Sequence, residues 1–395
     1  MSTVLATHSK KGASSAERWM NCPGSNVIVD SLKLEKTDET EFAAEGTAAH
    51  EAASHCLVNA LDAWEVAGKT FHDLVVTAEM ASAFQLYLDT VRSIRDEHGP
   101  GVTSMVEARI SGDFDELFYG TVDSAEVSPG LLDITDYKHG KGIAVDAKEN
   151  AQLMYYAVGI LEKLQGHFKV RLRIVQPRAF HAEGPVRKWE TTSDYLREWR
   201  DKELIPAMAR AGKDMTLIPG EHCRFCPSKI VCPLLTGLFK VAMTTDASFA
   251  TKLDSASLAL QYQQIEGVKH FIRGLEAEVM KRLQAGETVS GGDPDNTFKL
   301  VYKKADRVFK PEGVAILTGK NPEIPAPFKA EDIYETKLKS VAGIADLGAE
   351  GKKFVKEYAY TPQNGLTVAA SSDKRPGVKV QSPQEAFGDM VQPTE

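Results

Sequence analysis

Two runs of alternating polar and apolar residues, Phe118–Val127 and Leu131–Lys138, are separated only by Ser128-Pro129-Gly130. Proline presets one backbone angle and glycine admits the left-handed region, so this composition between two strands makes a tight turn. The result is an antiparallel hairpin, and a hairpin fixes partners. With the turn centred between Pro129 and Gly130, facing residues have numbers summing to about 259. Asp123 then faces Asp136, with Cβ atoms about 4.5–5.5 Å apart. Lys138, two residues on, shares a face with Asp136.

Two carboxylates that close repel each other unless positive charge lies between them. A divalent cation held there beside a lysine makes a centre suited to phosphodiester hydrolysis. The ion polarises phosphate and offsets charge on the leaving oxygen. The lysine orients or helps deprotonate the attacking water and stabilises the charged transition state. Hard oxygen ligands favour Mg²⁺ or Mn²⁺. Geometry alone leaves open that Asp123 and Asp136 are ordinary exposed strand carboxylates.

The rest of the chain frames this hairpin. Helical periodicity covers Thr40–Asp62 and Val76–His98, the latter ending at Gly99-Pro100-Gly101. Ser104–Ile110 reads as a further strand, Asn150–Leu164 as an amphipathic helix, Lys169–Gln176 as a strand and Ser193–Ala211 as a helix. Residues 14–26 read as loop or short helix. This order predicts an α/β core with a mixed sheet flanked by helices. Beyond it, Leu253–Ala285 reads as one long helix, Thr297–Phe309 alternates like a strand, and the chain from Thr361 has the composition of a disordered tail. The predicted division is 1–244, 245–360 and 361–395, the middle part an α+β appendage without a chemical motif.

Net charge is −8 over 395 residues, unlike a protein that coats nucleic acid without selectivity. It is compatible with a local basic groove and acidic metal ligands. No apolar run reaches the roughly 20 residues of a membrane span, so no membrane partner is expected. The polar stretch Met1–Gly12 lacks the apolar region of a secretory leader, and a cytosolic location is expected.

In such a compartment clustered cysteines bind metal or do redox chemistry. Cys223-x-x-Cys226-x5-Cys232 is compact, with Pro227 and Pro233 stiffening it. A tetrahedral site needs a fourth ligand, and Cys22, followed by Pro23, is the cysteine in a similar context. Cys56, between Ala53 and Leu57 in a helical stretch, reads as a small buried hydrophobe.

Four further motifs occur in order. Glu45-Gly46-Thr47-Ala48-Ala49-His50 resembles the helical histidine motif of RecB-like PD-(D/E)XK nucleases. Gly120-Thr121-Val122-Asp123 resembles their G-x-x-D strand, Asp136-Tyr137-Lys138 their (D/E)-x-K, and Gln152-Leu153-Met154-Tyr155-Tyr156 their Q-x-x-x-Y helix. The stretches Asp133–Gly142 and Asn150–Met154 look most like phage and prophage members of that group.

The resemblance implies a restriction-endonuclease-like core with a cysteine-cluster cap and DNA as the partner. It implies His50, Asp123, Asp136 and the Tyr137 carbonyl as metal ligands and Lys138 as a catalytic group. Gln152 and Tyr156 would position the DNA or the lysine. One cysteine upstream of the core and three downstream are similar to the iron–sulfur staple of AddB-type and CRISPR-associated RecB-like exonucleases. That implies a [4Fe–4S] cluster on Cys22, Cys223, Cys226 and Cys232, with Zn²⁺ the alternative for four thiolates.

The expected activity is DNA hydrolysis, exonucleolytic, in phage or prophage recombination or processing, with recombination or replication proteins as possible partners. A non-catalytic DNA-end or partner-binding module on the same fold is the other class, and a metal-dependent phosphoesterase acting on RNA or small substrates a third. Arg171 and Arg173, alternating on one strand in a basic stretch, are candidate phosphate contacts. Their other reading is a solvated face with ordinary ion pairs.

Overall fold

The Ser128-Pro129-Gly130 turn closes in the expected register. Gly130 takes a φ of +74°, and the pairs run from Ser128–Leu131 to Ser124–Thr135. The ladder between these two strands stops there. Asp123 and Asp136 stand one step further on, where the strands part.

The computed structural model describes residues 9–34, 41–244, 253–292, 297–302, 308–333, 339–360, 366–370 and 376–378. The chain divides into two compact units, Met1–Ile272 and Arg273–Glu395. In the first, α1 (Ala16–Asn21) and α2 (Gly24–Ser31) precede α3 (Glu41–Asn59), a two-residue hairpin of β1 (Thr70–Phe71) and β2 (Leu74–Val75), and α4 (Ala78–His98). Then come β3 (Thr103–Ser111), β4 (Tyr119–Ser128), β5 (Leu131–Tyr137), α5 (Ala151–Leu161), β6 (Lys169–Val175) and β7 (Val186–Thr192). The five long strands form one mixed sheet in the order β3-β4-β5-β6-β7. Only β5 and β6 run parallel, and α5 is the crossover a parallel pair needs.

Helix boundaries follow their caps. Thr77 accepts a hydrogen bond from the Met80 N–H to open α4, Gly99 at φ +74° closes it, and Asn150 caps α5. Residues Leu153–Leu161 of α5 are buried throughout. A Cβ on Gly159 would come within 2.6 Å of Ile110, so the bare glycine sets how closely α5 packs on the sheet. The helix expected over Ser193–Ala211 is α6 (Ser193–Trp199) and α7 (Ile205–Arg210), joined by a π-helical turn at Arg200–Leu204. Pro206 lacks the N–H that regular continuation would need. β7 had no counterpart among the expected strands, and its alternation is masked by Arg187 and Lys188.

Arg171 and Arg173, the candidate phosphate contacts, are both engaged in ion pairs within the protein. Both point at the α4 face, where Asp133 is fully buried. Asp133 accepts from Arg171 Nε at 2.8 Å, from Arg173, and from His98 Nε2 at 2.8 Å, while Arg171 also reaches Glu97 at 2.8 Å. Neighbouring basic residues are engaged likewise. Lys169 and Lys188 bracket Glu190, whose carboxyl their hydrogen bonds hold down at about 2. Arg187 donates to the Val145 and Gly184 carbonyls. The ion pairs of the other reading are present, but around Asp133 they are buried rather than on a solvated face.

After the cysteine segment come α8 (Pro233–Thr244) and α9 (Ser255–Gln284). The boundary expected after residue 244 falls instead within α9. Phe271 is buried against Cys223, Cys232, Leu235 and Ile28, so the start of α9 belongs to the first unit. The second unit is α+β, as expected for the appendage. β8 (Phe298–Tyr302) pairs with β11 (Leu366–Ala370), and β9 (Val308–Phe309) pairs with β10 (Ala359–Tyr360). Its core gathers Ile316, Leu317, Ile344, Phe354 and Val355. β11 corrects the expectation of disorder from Thr361 onward; apart from residues 366–370 and 376–378, that stretch lies outside the described residues. Among the described residues no helix is long and apolar enough to cross a membrane.

Asp133→Ala should strip two buried guanidiniums of their shared anion. The expected loss is about 3–5 kcal/mol of unfolding free energy, measured by chemical denaturation. A change below 1 kcal/mol (roughly the value of an exposed pair) would show that the network carries little.

Candidate active site and cysteine centre

Where β4 leaves β5, the side chain of Asp123 replaces the missing ladder bond: its Oδ2 accepts the Tyr137 N–H at 2.8 Å. β4 bends because it stays with β3. The pairs Val106–Ser124 and Ala108–Val122 keep one register, yet the alternation of faces inverts between them. Val106 packs with the α3/α4 core, whereas Ala108 and Val122 pack with the α5 core. The residues at the inversion are Glu107 and Asp123. Glu107 adopts φ +46°, a left-handed conformation rarely taken by a non-glycine residue in a strand.

His50 reaches this opening from α3. Ala48, Ala49, Ala52, Ala53 and Cys56 are all buried on that helix, and small side chains let it lie close to α4 and the sheet. The His50 ring packs on Tyr137, centroids 5.3 Å apart. Its Nδ1 stands 3.5 Å from Asp123 Oδ2 and 4.0 Å from Glu107 Oε1. His55, by contrast, is exposed and contacts Asn59.

On the α5 side, Lys138 Nζ donates to Asp136 Oδ1 at 3.2 Å and to Gln152 Oε1 at 2.8 Å. Gln152 in turn donates to the Tyr156 hydroxyl at 3.0 Å. Gln152 and Tyr156, one turn apart on α5, therefore fix the lysine. The Asp136 carboxylate is 1 % exposed; its Oδ2 lies 2.9 Å from Nζ but accepts no aligned hydrogen bond.

The charges are strongly coupled. Burial pushes the Asp136 carboxyl up to about 6, with Lys138 opposing and Asp123 adding to the rise. Burial and then the Asp123 carboxylate push Glu107 up to about 7. Burial works against a charged Lys138, but Asp136 and Asp123 outweigh it and hold its pKa above the ordinary value. Lys138 is thus a persistent cation and donor.

All seven residues expected at the acidic site lie in one region, but their grouping differs from the expectation. The donors that lie within 4.8 Å of one another are His50, Glu107 and Asp123, while Asp136 is turned to Lys138. Glu107 was not among the candidates. Nothing marks Met105-Val106-Glu107-Ala108 as special, and the register of β3 against β4 cannot be computed across residues 112–118, which contain no defined turn. His139, next to the lysine, is buried and braces the site. Its Nδ1 is 2.7 Å from the Tyr137 hydroxyl, and it contacts Arg178 and Glu45.

The second centre lies away from the acids. Cys22, Cys223, Cys226 and Cys232 line one cavity, all buried and all free thiols. A Cβ on Gly24 would sit 2.7 Å from the Met215 carbonyl, so a glycine after Cys22-Pro23 permits the approach. Cys22 Sγ accepts the Ile218 N–H at 3.5 Å, and Cys226 Sγ is 3.1 Å from Ser228 Oγ. Burial raises the Cys22 thiol and pushes Cys223 up to about 11, each rise reinforced by the other cysteines. Arg18 and Lys229 face these sulfurs. Among the described residues no three cysteine sulfurs lie within 4.8 Å of one another. Cys56 is elsewhere, in the α3/α4 core.

The fold and its two centres thus define a mixed α/β domain with an acid–lysine site and a four-thiol site. The family described as "Protein of unknown function (DUF2800)" matches residues 8–376, and the chain belongs to it.

If the four thiols hold a metal, Cys22→Ser should remove most of it from the anaerobically purified protein and lower the melting temperature, because Cys22 joins segments about 200 residues apart. Cys56→Ser should leave the metal content unchanged. Full metal loading in Cys22→Ser, read by elemental analysis, would exclude Cys22 from the centre.

Proposed function

We propose that this protein is a metal-dependent DNA nuclease with a restriction-endonuclease-like, RecB-like core. The observation that carries the reading is the convergence of Lys138 on Asp136 and Gln152, with His50 at 3.5 Å from Asp123 across the same opening. These residues come from α3, β4, the end of β5 and α5. A binding module has no use for that whole set.

The acidic site fits a divalent cation. The buried Asp136 Oδ2 has a lone pair to spare, and the donors are hard oxygens with one imidazole. His50, Asp123, Asp136 and the Tyr137 carbonyl would hold Mg²⁺ or Mn²⁺. Such an ion supplies polarisation of the scissile phosphate and neutralisation of charge on the leaving oxygen. Lys138, kept protonated, gives a donor to the attacking water or to a phosphate oxygen as charge builds there. Gln152 and Tyr156 fix the ammonium so that it need not reorganise during the reaction.

The cysteine site fits a metal centre as well. Four buried thiols line one cavity, and burial keeps Cys22 and Cys223 protonated in the absence of a cation, so a bound metal would supply the positive charge their thiolates need. The one-plus-three arrangement of these cysteines, similar to that of iron–sulfur-stapled RecB-like exonucleases, favours a [4Fe–4S] cluster over Zn²⁺, and either would tie the segment around Cys22 to the one around Cys223.

Asp136→Ala and Lys138→Ala should each lower Mn²⁺-dependent cleavage of labelled single-stranded or duplex DNA by at least about 10²–10³-fold, and excess EDTA should abolish it. Undiminished cleavage by Asp136→Ala would sink the assignment. Cleavage of RNA alone would redirect it to a ribonuclease.

Because the Asp136 carboxyl is held up at about 6, it is charged above that pH and takes a proton below it. Protons then compete with the cation. Apparent Mn²⁺ affinity should therefore weaken as pH falls from 8 to 6, followed by calorimetric titration. An affinity flat over that range would remove Asp136 from the ligand set.

A further inference from the structure

We infer that Glu107 is a ligand of the divalent cation, and that His50, Glu107 and Asp123 form a binding face that does not require Asp136 to release Lys138. The inference rests on reading the acidic site as a cation centre.

Distances support it first. An ion bonded at about 2.1 Å can be shared by donors up to about 4.2 Å apart. The Nδ1 of His50 is 3.5 Å from Asp123 and 4.0 Å from Glu107. Asp136 meanwhile is bound to the lysine.

Charge supports it second. The carboxylates of Glu107, Asp123 and Asp136 gather around one lysine, and among the described residues no lysine or arginine forms an ion pair with Glu107. Solvent reaches Glu107, whose side chain is 39% exposed, and the surplus negative charge on this opening is what a divalent ion cancels. The buried, incompletely satisfied Asp136 Oδ2 adds an acceptor on the same opening.

The backbone supplies the third argument. Both strands invert at the Glu107–Asp123 position without gaining a residue, and this brings both carboxylates to the opening between β4 and β5. Glycine would take φ +46° with less strain. Glutamate offers the fold nothing there that glycine would not, but it offers a cation a carboxylate.

The test uses the full-length protein with its cysteine centre loaded, and Mn²⁺ as the probe. Free Mn²⁺ is followed by electron paramagnetic resonance, and melting temperature is measured with and without the ion. Wild type should bind Mn²⁺ and melt higher with it. Glu107→Gln should bind at least about tenfold more weakly and lose most of the Mn²⁺-dependent rise in melting temperature.

Glu107→Gly should show the same loss of affinity while its metal-free melting temperature stays at or above that of wild type, so the loss cannot be assigned to a damaged fold. Wild-type affinity in either variant would overturn the inference, as would an absence of Mn²⁺ binding by wild type. If wild type binds Mn²⁺ through Glu107 but leaves every nucleic acid intact, the ligand assignment stands and the nuclease reading falls.

Discussion

A strand in the middle of a sheet is hydrogen-bonded on both edges, and it can leave one neighbour only if something else satisfies the abandoned backbone groups. In this protein that substitute is a side chain. The Asp123 carboxylate takes the Tyr137 N–H, and β4 is thereby free to follow β3 away from β5. The wedge that opens admits His50 from one side of the sheet and Lys138 with Gln152 from the other. A continuous β4–β5 ladder would have sealed the two faces apart. The acidic residue is therefore at once a structural prop and the centre of the site it creates.

The sequence carried the hairpin because its turn is short and chemically explicit, and a short turn turns residue numbers into a register. The same arithmetic fails one strand earlier. The residues between β3 and β4 hold no defining turn, so the pairing of Glu107 opposite Asp123 had no sequence signature. Nor can a left-handed glutamate be foreseen from composition, since the conformation is imposed by the paired inversion of two strands. Helix ends were accessible where a capping residue stood at the boundary, as at Thr77 and Asn150. The interruption at Arg200–Leu204 was written in Pro206, though the helical periodicity around it pointed the other way.

Charge was the least reliable guide. Arg171, Arg173 and Arg187 look like a phosphate-binding strip when read along the chain. In space, two of them converge on Asp133 and the third holds loop carbonyls. A sheet sandwiched between helices leaves a strand arginine little choice but to find a buried acid, and that acid sits on the adjacent strand, where one-dimensional reading cannot see it. The domain boundary was displaced for a related reason: α9 looks like a separate helix in sequence, but Phe271 fills the space behind the cysteines.

The cysteine cavity also imposes an order in time. Cys22 leaves the ribosome about 200 residues ahead of Ile218, which hydrogen-bonds to its sulfur, and of Cys223 and its neighbours. At bacterial or eukaryotic elongation rates of roughly 5–20 residues per second, the amino-terminal segment waits on the order of 10–40 s for the surface it packs against. During that interval the thiol of Cys22 stands exposed to oxidants and to stray metal ions. Closure of this domain is consequently an event of biosynthesis as much as of folding, and its yield depends on what the cell keeps away from one sulfur atom until the chain catches up.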